Sequence, residues 1–185
     1  MQQWYKDLKA KPSSRVKGTL TVDRIRTKGG WPKLAAKAAA TRHLAAVALN
    51  LAQDFGLPEK EERQILGLRQ LLVRFYEIID SEFQFLSASA RLEMPELGQR
   101  FVGLYTALAT SAKEQGLNMW KLQPKLHLFI HLCEWQCIDH GNPRYYWTYA
   151  DEDLAGSMAE VAASCHPRTM ASSCLFKWLH LFFDS

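Results

Sequence analysis

The hydrophobic positions of this chain recur mostly at helical spacing, and helix-breaking residues divide them into separate segments. Pro32 suits a first helical turn, and the alanine-rich stretch from Lys33 to Asp54 predicts a helix that ends at Gly56. A second predicted helix begins at Pro58, has acidic residues in its first turn, and runs to about Phe85.

Four further helices are predicted in the C-terminal half, after an ordinary connection over residues 87–94. They run from about Pro95 to Gly116, from Pro124 to Ile138, from Asp151 to Ser164 and from Arg168 to Phe183. The fold class is therefore predicted to be all-α, an irregular bundle of five to six helices over residues 31–185.

Residues 1–30 are predicted to form a basic, mostly irregular N-terminal arm. Pro12 interrupts any helix there, and the alternating stretch from Thr19 to Ile25 fits either a short strand or an extended segment. The hydrophobic content of 48% over 185 residues is enough for a packed core.

The composition of the chain also predicts its cellular location. No apolar run approaches the roughly 18 residues of a membrane span, and the first residues are too polar for a secretory signal. The four cysteines contain no C-x-x-C pair, so reduced thiols are expected. We predict an intracellular protein without membrane association, and a nuclear location would suit the nucleic-acid contact inferred below.

Charge is unevenly distributed. Residues 1–45 hold eleven Lys or Arg against two Asp, a net charge of +9, whereas the remainder holds 12 Lys or Arg against 17 acidic residues, a net charge of −5. A basic segment of this kind attracts nucleic acid without reading its sequence, although a solvated basic arm is the plain alternative. The predicted contacts are Lys17, Arg24, Arg26, Lys28, Lys33, Lys37, Arg42 and Arg144.

Two histidines on the fourth predicted helix form the densest group of potential metal ligands. His127 and His131 are four residues apart, a spacing that occurs in zinc sites. Cys133 and Cys137 would lie on another side of a straight helix and are expected to pack as small apolar residues. The alternative for the histidines is a hydrogen-bonded place in a helical core or interface, which the spacing fits equally well.

The acidic run Asp151, Glu152 and Asp153 also has two interpretations. Acidic residues in a first helical turn stabilise the helix by about 0.3–1 kcal/mol each. Alternatively, Asp151 with His127 and His131 could hold Mg²⁺ or Mn²⁺, with Zn²⁺ the less favoured ion, and Glu152 would be the catalytic carboxylate. The sequence requires none of these cofactors.

Arg144 lies beside Tyr145, Tyr146 and Trp147, a combination that can bind phosphate and stack on bases. A surface loop anchored by its aromatic residues explains the same pattern. The chain has no G-x-S-x-G, Walker A, Rossmann glycine or zinc-ribbon pattern, so serine hydrolase, nucleotide-binding and NAD-dependent functions have no support.

The segment Pro124, Lys125, Leu126, His127, continued by His131 and Leu132, resembles the KPKxHxxxHL segment in the C-terminal part of RNase H-like transposases of the CACTA and KDZ kind. In that family a catalytic Glu follows on a later helix, which would correspond to Glu152. The stretch from Pro32 to Leu44 is loosely similar to a helix entry in the same proteins.

The chain departs from that family in its strands. An RNase H-like fold carries two catalytic aspartates on upstream strands, and Asp7 and Asp23 are poor substitutes for them. The resemblance therefore implies a fragment or a degenerate relative that does not cut DNA alone, because one carboxylate cannot hold a metal pair. We expect a transposon-derived, nucleic-acid-associated helical protein. The alternatives are a helical module that binds a protein partner or itself, and a partial nuclease completed by another chain.

Overall fold

The structure, a computed structural model, describes residues 38–55 and 59–183 together with residues 21, 25 and 30–32. Over these ranges the protein is all-helical and contains no strand, which confirms the predicted fold class. Most of the basic arm, including nearly all of the stretch from Thr19 to Ile25, lies outside the described residues. The chain divides into two compact units, Met1–Tyr146 and Trp147–Ser185. A domain boundary at residue 30 stays a prediction.

The first unit is built on three long helices and one interrupted helix. The long helices are α1 (Ala38–Phe55), α2 (Lys60–Ser81) and α3 (Ala88–Glu114). The interrupted helix consists of α4 (Pro124–His131), a π-helical turn (Leu132–Gln136) and the short α5 (Cys137–Asp139), and a 3₁₀ turn (Pro143–Tyr145) follows it.

Helix α2 ends four residues before the predicted limit at Phe85. Glu82 adopts an extended backbone and its amide donates the last helical hydrogen bond, to the carbonyl of Ile78 at 3.0 Å. Leu68, Phe75, Ile78 and Ile79 form the buried face of this helix. Their helical spacing is the pattern that predicted the helix, whereas the end depends on interactions that come from a distant loop.

Helix α3 begins at Ala88, so the prediction of a connection over residues 87–94 is wrong. Ser87 is the N-cap, because its hydroxyl accepts a hydrogen bond from the amide of Ala90 at 3.3 Å. The carboxylate of Glu82 in turn accepts bonds from the amide and hydroxyl of Ser87 at 2.8 and 2.6 Å. Pro95 lies inside the helix, where it forgoes one backbone hydrogen bond. Burial of Met94 in the core favours the helix through this position.

An aromatic cluster joins three helices in the core of the first unit. The ring of Phe129 on α4 packs against Phe75 of α2 and Phe101 of α3, with centroids 5.1 Å apart in both edge-to-face pairs. Pairs of this geometry contribute about 0.5–1.5 kcal/mol beyond the area they bury. The short α4 is thereby fixed to both long helices.

Helix α3 approaches the π-helical turn closely at Gly98. A Cβ atom placed on Gly98 would lie 2.7 Å from the Cβ atom of Cys133, too near for any real pair of such atoms. Cys133 and Cys137 are 0% and 1% exposed. The prediction that both cysteines pack as small apolar residues is confirmed.

The second unit consists of α6 (Tyr149–Ser164) and α7 (Met170–Phe183), which pack on each other. The thiol of Cys174 on α7 contacts the carbonyl of Met158 on α6 with a sulfur–oxygen distance of 3.9 Å. The two predicted helix starts lie within two residues of those observed, because Pro167 and the acidic run mark them clearly.

Two glycines of α3 give a matched test of this packing. Gly98→Ala should destabilise the first unit by about 1–3 kcal/mol, because the new methyl group overlaps Cys133. Gly103→Ala should stabilise the protein by about 0.5–1 kcal/mol, since nothing lies within 4 Å of the new methyl group and alanine favours the helix. Urea unfolding followed by circular dichroism measures both values. Equal effects of the two substitutions would contradict the close approach.

Candidate nucleic-acid interface

Arg42, one of the predicted nucleic-acid contacts, is engaged within the first unit. Its guanidinium on α1 forms a two-oxygen ion pair with the carboxylate of Asp80 on α2. The guanidinium carbon also lies 5.1 Å from the centroid of the Tyr76 ring. Only 17% of the Arg42 side chain is exposed. A phosphate group at this position would have to compete with Asp80 for the same hydrogen-bond donors.

Arg144, the other described member of the predicted set, reaches the same acidic residue from the 3₁₀ turn. Its Nη1 atom donates to the backbone carbonyl of Asp80 at 3.1 Å and lies 4.0 Å from the Asp80 carboxylate. Half of the Arg144 side chain remains exposed. The structure thus brings Arg42 and Arg144 together on one acidic residue at the end of α2, and their contact with nucleic acid stays a prediction.

The loop that carries Arg144 is anchored by Asn142, whose side chain is fully buried. Its side-chain Nδ2 atom donates to the carbonyls of Ile79, Glu82 and Phe83 at 2.9–3.1 Å. Its Oδ1 atom accepts from the amide of Arg144 at 3.0 Å. Both polar atoms of the amide group are therefore hydrogen-bonded, Nδ2 around the end of α2 and Oδ1 within its own loop, which explains why the group can be buried.

Gly141 allows the loop to approach the connection after α2 closely. Its backbone lies in the left-handed region with φ +87°, and an added Cβ atom would lie 2.3 Å from the carbonyl oxygen of Gln84. That carbonyl accepts the backbone amide of Asn142 at 2.8 Å. From the sequence, the Gly-Asn-Pro run predicts only a helix break, since its partners lie about 60 residues earlier.

The remaining predicted basic contacts lie outside the described residues, so their role stays a prediction. They are Lys17, Arg24, Arg26, Lys28, Lys33 and Lys37.

The two predicted metal-ligand histidines form the start of an aromatic column on α4. The rings of His127 and His131 have centroids 4.0 Å apart, and Trp135 continues the column 4.3 Å from His131. His127 is exposed, and Trp135 is 56% exposed. The column therefore lies on an accessible face of the interrupted helix, away from the buried cysteines. Burial raises the pKa of Cys137 to about 12 and the pKa of Cys133 further.

The structure describes only part of the predicted metal site. Asp151 and Glu152 lie in α6, but their side chains fall outside the described part of the chain. Among the side chains that are described, no group of three or more His, Cys, Asp or Glu is arranged to hold a metal ion. Both the metal site and the catalytic role of Glu152 stay predictions.

A cleft that the sequence did not predict lies at the C-terminal end of α3. We call it the tryptophan cleft and define it by Trp31, Trp120, Lys113 and Lys121. Its volume is about 490 Å³, within the range of small-ligand sites. The rest of its lining is mostly small or apolar, namely Ala109, Gly116, Leu117, Asn118 and Leu122.

Trp120 has the least common backbone conformation among the described residues, a left-handed φ of +58°. Such a conformation costs a non-glycine residue on the order of 1–3 kcal/mol. Tyr105 holds it in place from α3. The two rings meet edge to face with centroids 5.5 Å apart, and the Tyr105 hydroxyl donates to the carbonyl of Lys121 at 3.1 Å. Burial raises the pKa of that hydroxyl.

No protein-family model, no curated protein and no solved structure matches the chain. Kinship with RNase H-like transposases therefore stays a prediction from the segment between Pro124 and Leu132. Within the described ranges, no helix combines the length and the apolar character that a membrane crossing requires.

The Asn142 anchor can be tested directly. Asn142→Ala should lower the free energy of unfolding by about 1–3 kcal/mol, because buried carbonyls at the end of α2 lose their donor. Asn142→Asp keeps the shape but places a carboxylate against the same carbonyls, so it should cost at least as much. Chemical denaturation measures both. Gln70→Ala, at an exposed position on α2, is the control and should change little. A similar loss in all three variants would contradict the specific anchor.

Proposed function

We propose that this chain is a transposon-derived helical protein that associates with nucleic acid and has no catalytic activity of its own. Charge segregation is the observation that carries the proposal. The basic excess of +9 lies in residues 1–45, whereas the rest of the chain has a net charge of −5. A cationic segment attached to a weakly acidic body directs polyanions to one part of the molecule.

The ion pairs of the first unit support this division. Several of its arginines are paired with acidic side chains of the same unit, as in Arg74 with Glu93 at 2.7 Å, Arg100 with Glu96 at 3.5 Å, and Arg42 with Asp80. These arginines are therefore already neutralised by neighbours within the folded helices. The net positive charge of the chain lies in residues 1–45, because the acidic residues of the remainder outnumber its Lys and Arg.

The tryptophan cleft offers a binding surface close in sequence to that arm. Trp31 directly follows residues 1–30, and it shares the cleft with Lys113 and Lys121. Aromatic faces beside lysines form a common type of surface for single-stranded nucleic acid.

The absence of autonomous catalysis follows from the family resemblance rather than from geometry. In that resemblance Glu152 is the only matched catalytic carboxylate, and a metal pair needs several. A nuclease completed by another chain stays a prediction from the sequence. All four cysteines are free thiols, in keeping with an intracellular location, and a chromosomal target would make that location nuclear.

Salt-dependent binding tests the proposal. Replacing Lys17, Arg24, Arg26 and Lys28 together by alanine should weaken binding to a labelled DNA duplex. It should also reduce the slope of log affinity against log salt by about 0.9 for each phosphate that the arm no longer neutralises. Fluorescence anisotropy over a salt series gives both quantities. Arg42 is kept, since its removal would unpair Asp80.

The matched control removes four positive charges from exposed positions of the helical body, Lys60, Arg63, Lys125 and Lys177. It gives the same net charge as the arm variant and should retain most of the affinity. Equal losses in the two variants would contradict a role for the arm. Lack of binding by the unmodified protein at low salt would overturn the proposal as a whole.

A second candidate function, a helical protein-interaction module, is favoured by exposed apolar side chains. Phe83 is 82% exposed and Phe85 is 69% exposed in the connection after α2, and Leu92 near the start of α3 is 81% exposed. Large apolar side chains at such exposure are typical of surfaces that a partner covers when they form one patch. A second copy of the chain is the simplest partner to test.

If these residues mediate self-association, the mass of the protein should rise with concentration in the absence of nucleic acid. Phe83→Ser combined with Leu92→Ser should keep the protein monomeric over the same range, because it removes apolar area from the contact. Analytical ultracentrifugation distinguishes the species. Leu51→Ser, at a position on α1 that is 49% exposed, serves as the control. A concentration-independent monomer would exclude self-association.

A further inference from the structure

The tryptophan cleft combines two features that one ligand class would use together. Two tryptophans, Trp31 and Trp120, and two lysines, Lys113 and Lys121, line it. The face of an unpaired base stacks on aromatic rings, and the phosphates on either side of that base interact with cations. A base inside a duplex cannot reach an indole ring, because its faces are already stacked on neighbouring bases.

The two lysines of the cleft differ from the paired arginines elsewhere in the first unit. Lys113 and Lys121 are exposed, and no acidic side chain of the described residues forms an ion pair with either of them. Their charge is therefore available to an anionic ligand. Neither lysine is among the basic contacts predicted from the sequence, most of which lie in residues 1–45.

The end of α3 would oppose an anion if its last carbonyls pointed unpaired into the cleft. They are instead occupied by the chain reversal at Gly116, where φ is +68°. The amide of Leu117 donates to the carbonyl of Ala112 at 2.8 Å, and the amide of Gly116 donates to that of Lys113 at 3.1 Å. This Schellman-type ending satisfies carbonyls that would otherwise repel a phosphate.

Trp120 is positioned before any ligand binds. Its left-handed backbone is held by the ring and hydroxyl of Tyr105, so the indole does not need to be ordered upon binding. A rigid aromatic side chain binds with a smaller loss of conformational entropy than a mobile one. The strained backbone at Trp120 thus keeps its indole in position in a cleft that two tryptophans and two lysines line.

We propose that the tryptophan cleft binds an unpaired base of single-stranded nucleic acid, stacked on Trp120 and Trp31, with the flanking phosphates on Lys113 and Lys121. The proposal rests on the proposed function and adds to it a preference for single strands. The chemistry is shared by single-stranded DNA and RNA, and the experiment includes both.

The test compares labelled oligothymidylate, oligouridylate and a DNA duplex of equal length by fluorescence anisotropy. Trp120→Gly removes the ring and relieves the left-handed backbone, and it should weaken binding to at least one single strand by about 5- to 150-fold. Lys113→Glu should also weaken single-strand binding. Duplex affinity, which depends on the N-terminal arm, should change much less in both variants.

Two control variants isolate the cleft. Arg91→Glu makes the same charge change as Lys113→Glu at another exposed position on α3, about 33 Å away along the helix axis. Trp135→Ala removes a different exposed tryptophan. Both controls should keep single-strand affinity within about twofold, a change of less than about 0.5 kcal/mol at 25 °C. Circular dichroism confirms that each variant is folded.

The outcomes separate the two proposals. If the unmodified protein binds the duplex but its single-strand affinity is the same in the cleft variants and the controls, the cleft proposal is overturned and nucleic-acid association stands. If Lys113→Glu and Arg91→Glu weaken single-strand binding equally, the effect is general electrostatics and the cleft proposal again fails. If the unmodified protein binds none of the three nucleic acids, both proposals fail. A preference for thymidylate or for uridylate identifies DNA or RNA as the natural strand.

Discussion

The buried amide of Asn142 is the interaction on which the arrangement of the first unit most depends. The carbonyl of Ile79 near the end of α2 is buried, and an unpaired buried carbonyl is costly. A single side chain from the loop after α5 donates to this carbonyl and to the part-buried carbonyls of Glu82 and Phe83 just beyond the helix. The interrupted helix and α2, although far apart in sequence, are therefore joined by directional bonds as well as by apolar packing.

The same junction determines what the two described arginines of the predicted interface can do. Because Asn142 brings Arg144 to the end of α2, Arg144 meets the residue that already pairs with Arg42. Asp80 therefore interacts with two arginines. The contact with Arg42 helps to hold α1 against α2, and the contact with Arg144 helps to hold the loop against α2. The charge of Arg42 and part of the charge of Arg144 are therefore used to hold the first unit together.

The predictions succeeded where a local pattern carries the information. The buried positions of α2 follow helical spacing, and the small residue at 133 fits a position that can accept only a small side chain. They failed where a competing local signal or a distant partner decides the outcome. Helix α3 starts at Ala88 because Ser87 and Glu82 form a local cap, although Pro95 is the stronger start signal in the sequence. The tryptophan cleft joins residues 31, 113, 120 and 121, and no spacing rule connects them.

Each compact unit contains two of the four cysteines, so a thiol reagent can report on each unit separately. Cys133 and Cys137 are sealed in the first unit, and burial raises the pKa of both thiols, so thiolate forms there only when that unit opens. Cys165 and Cys174 belong to the second unit and are partly exposed. Alkylation followed by mass spectrometry would thus measure how fast the first unit opens, separately from the reaction of the thiols in the second unit. No engineered probe is needed.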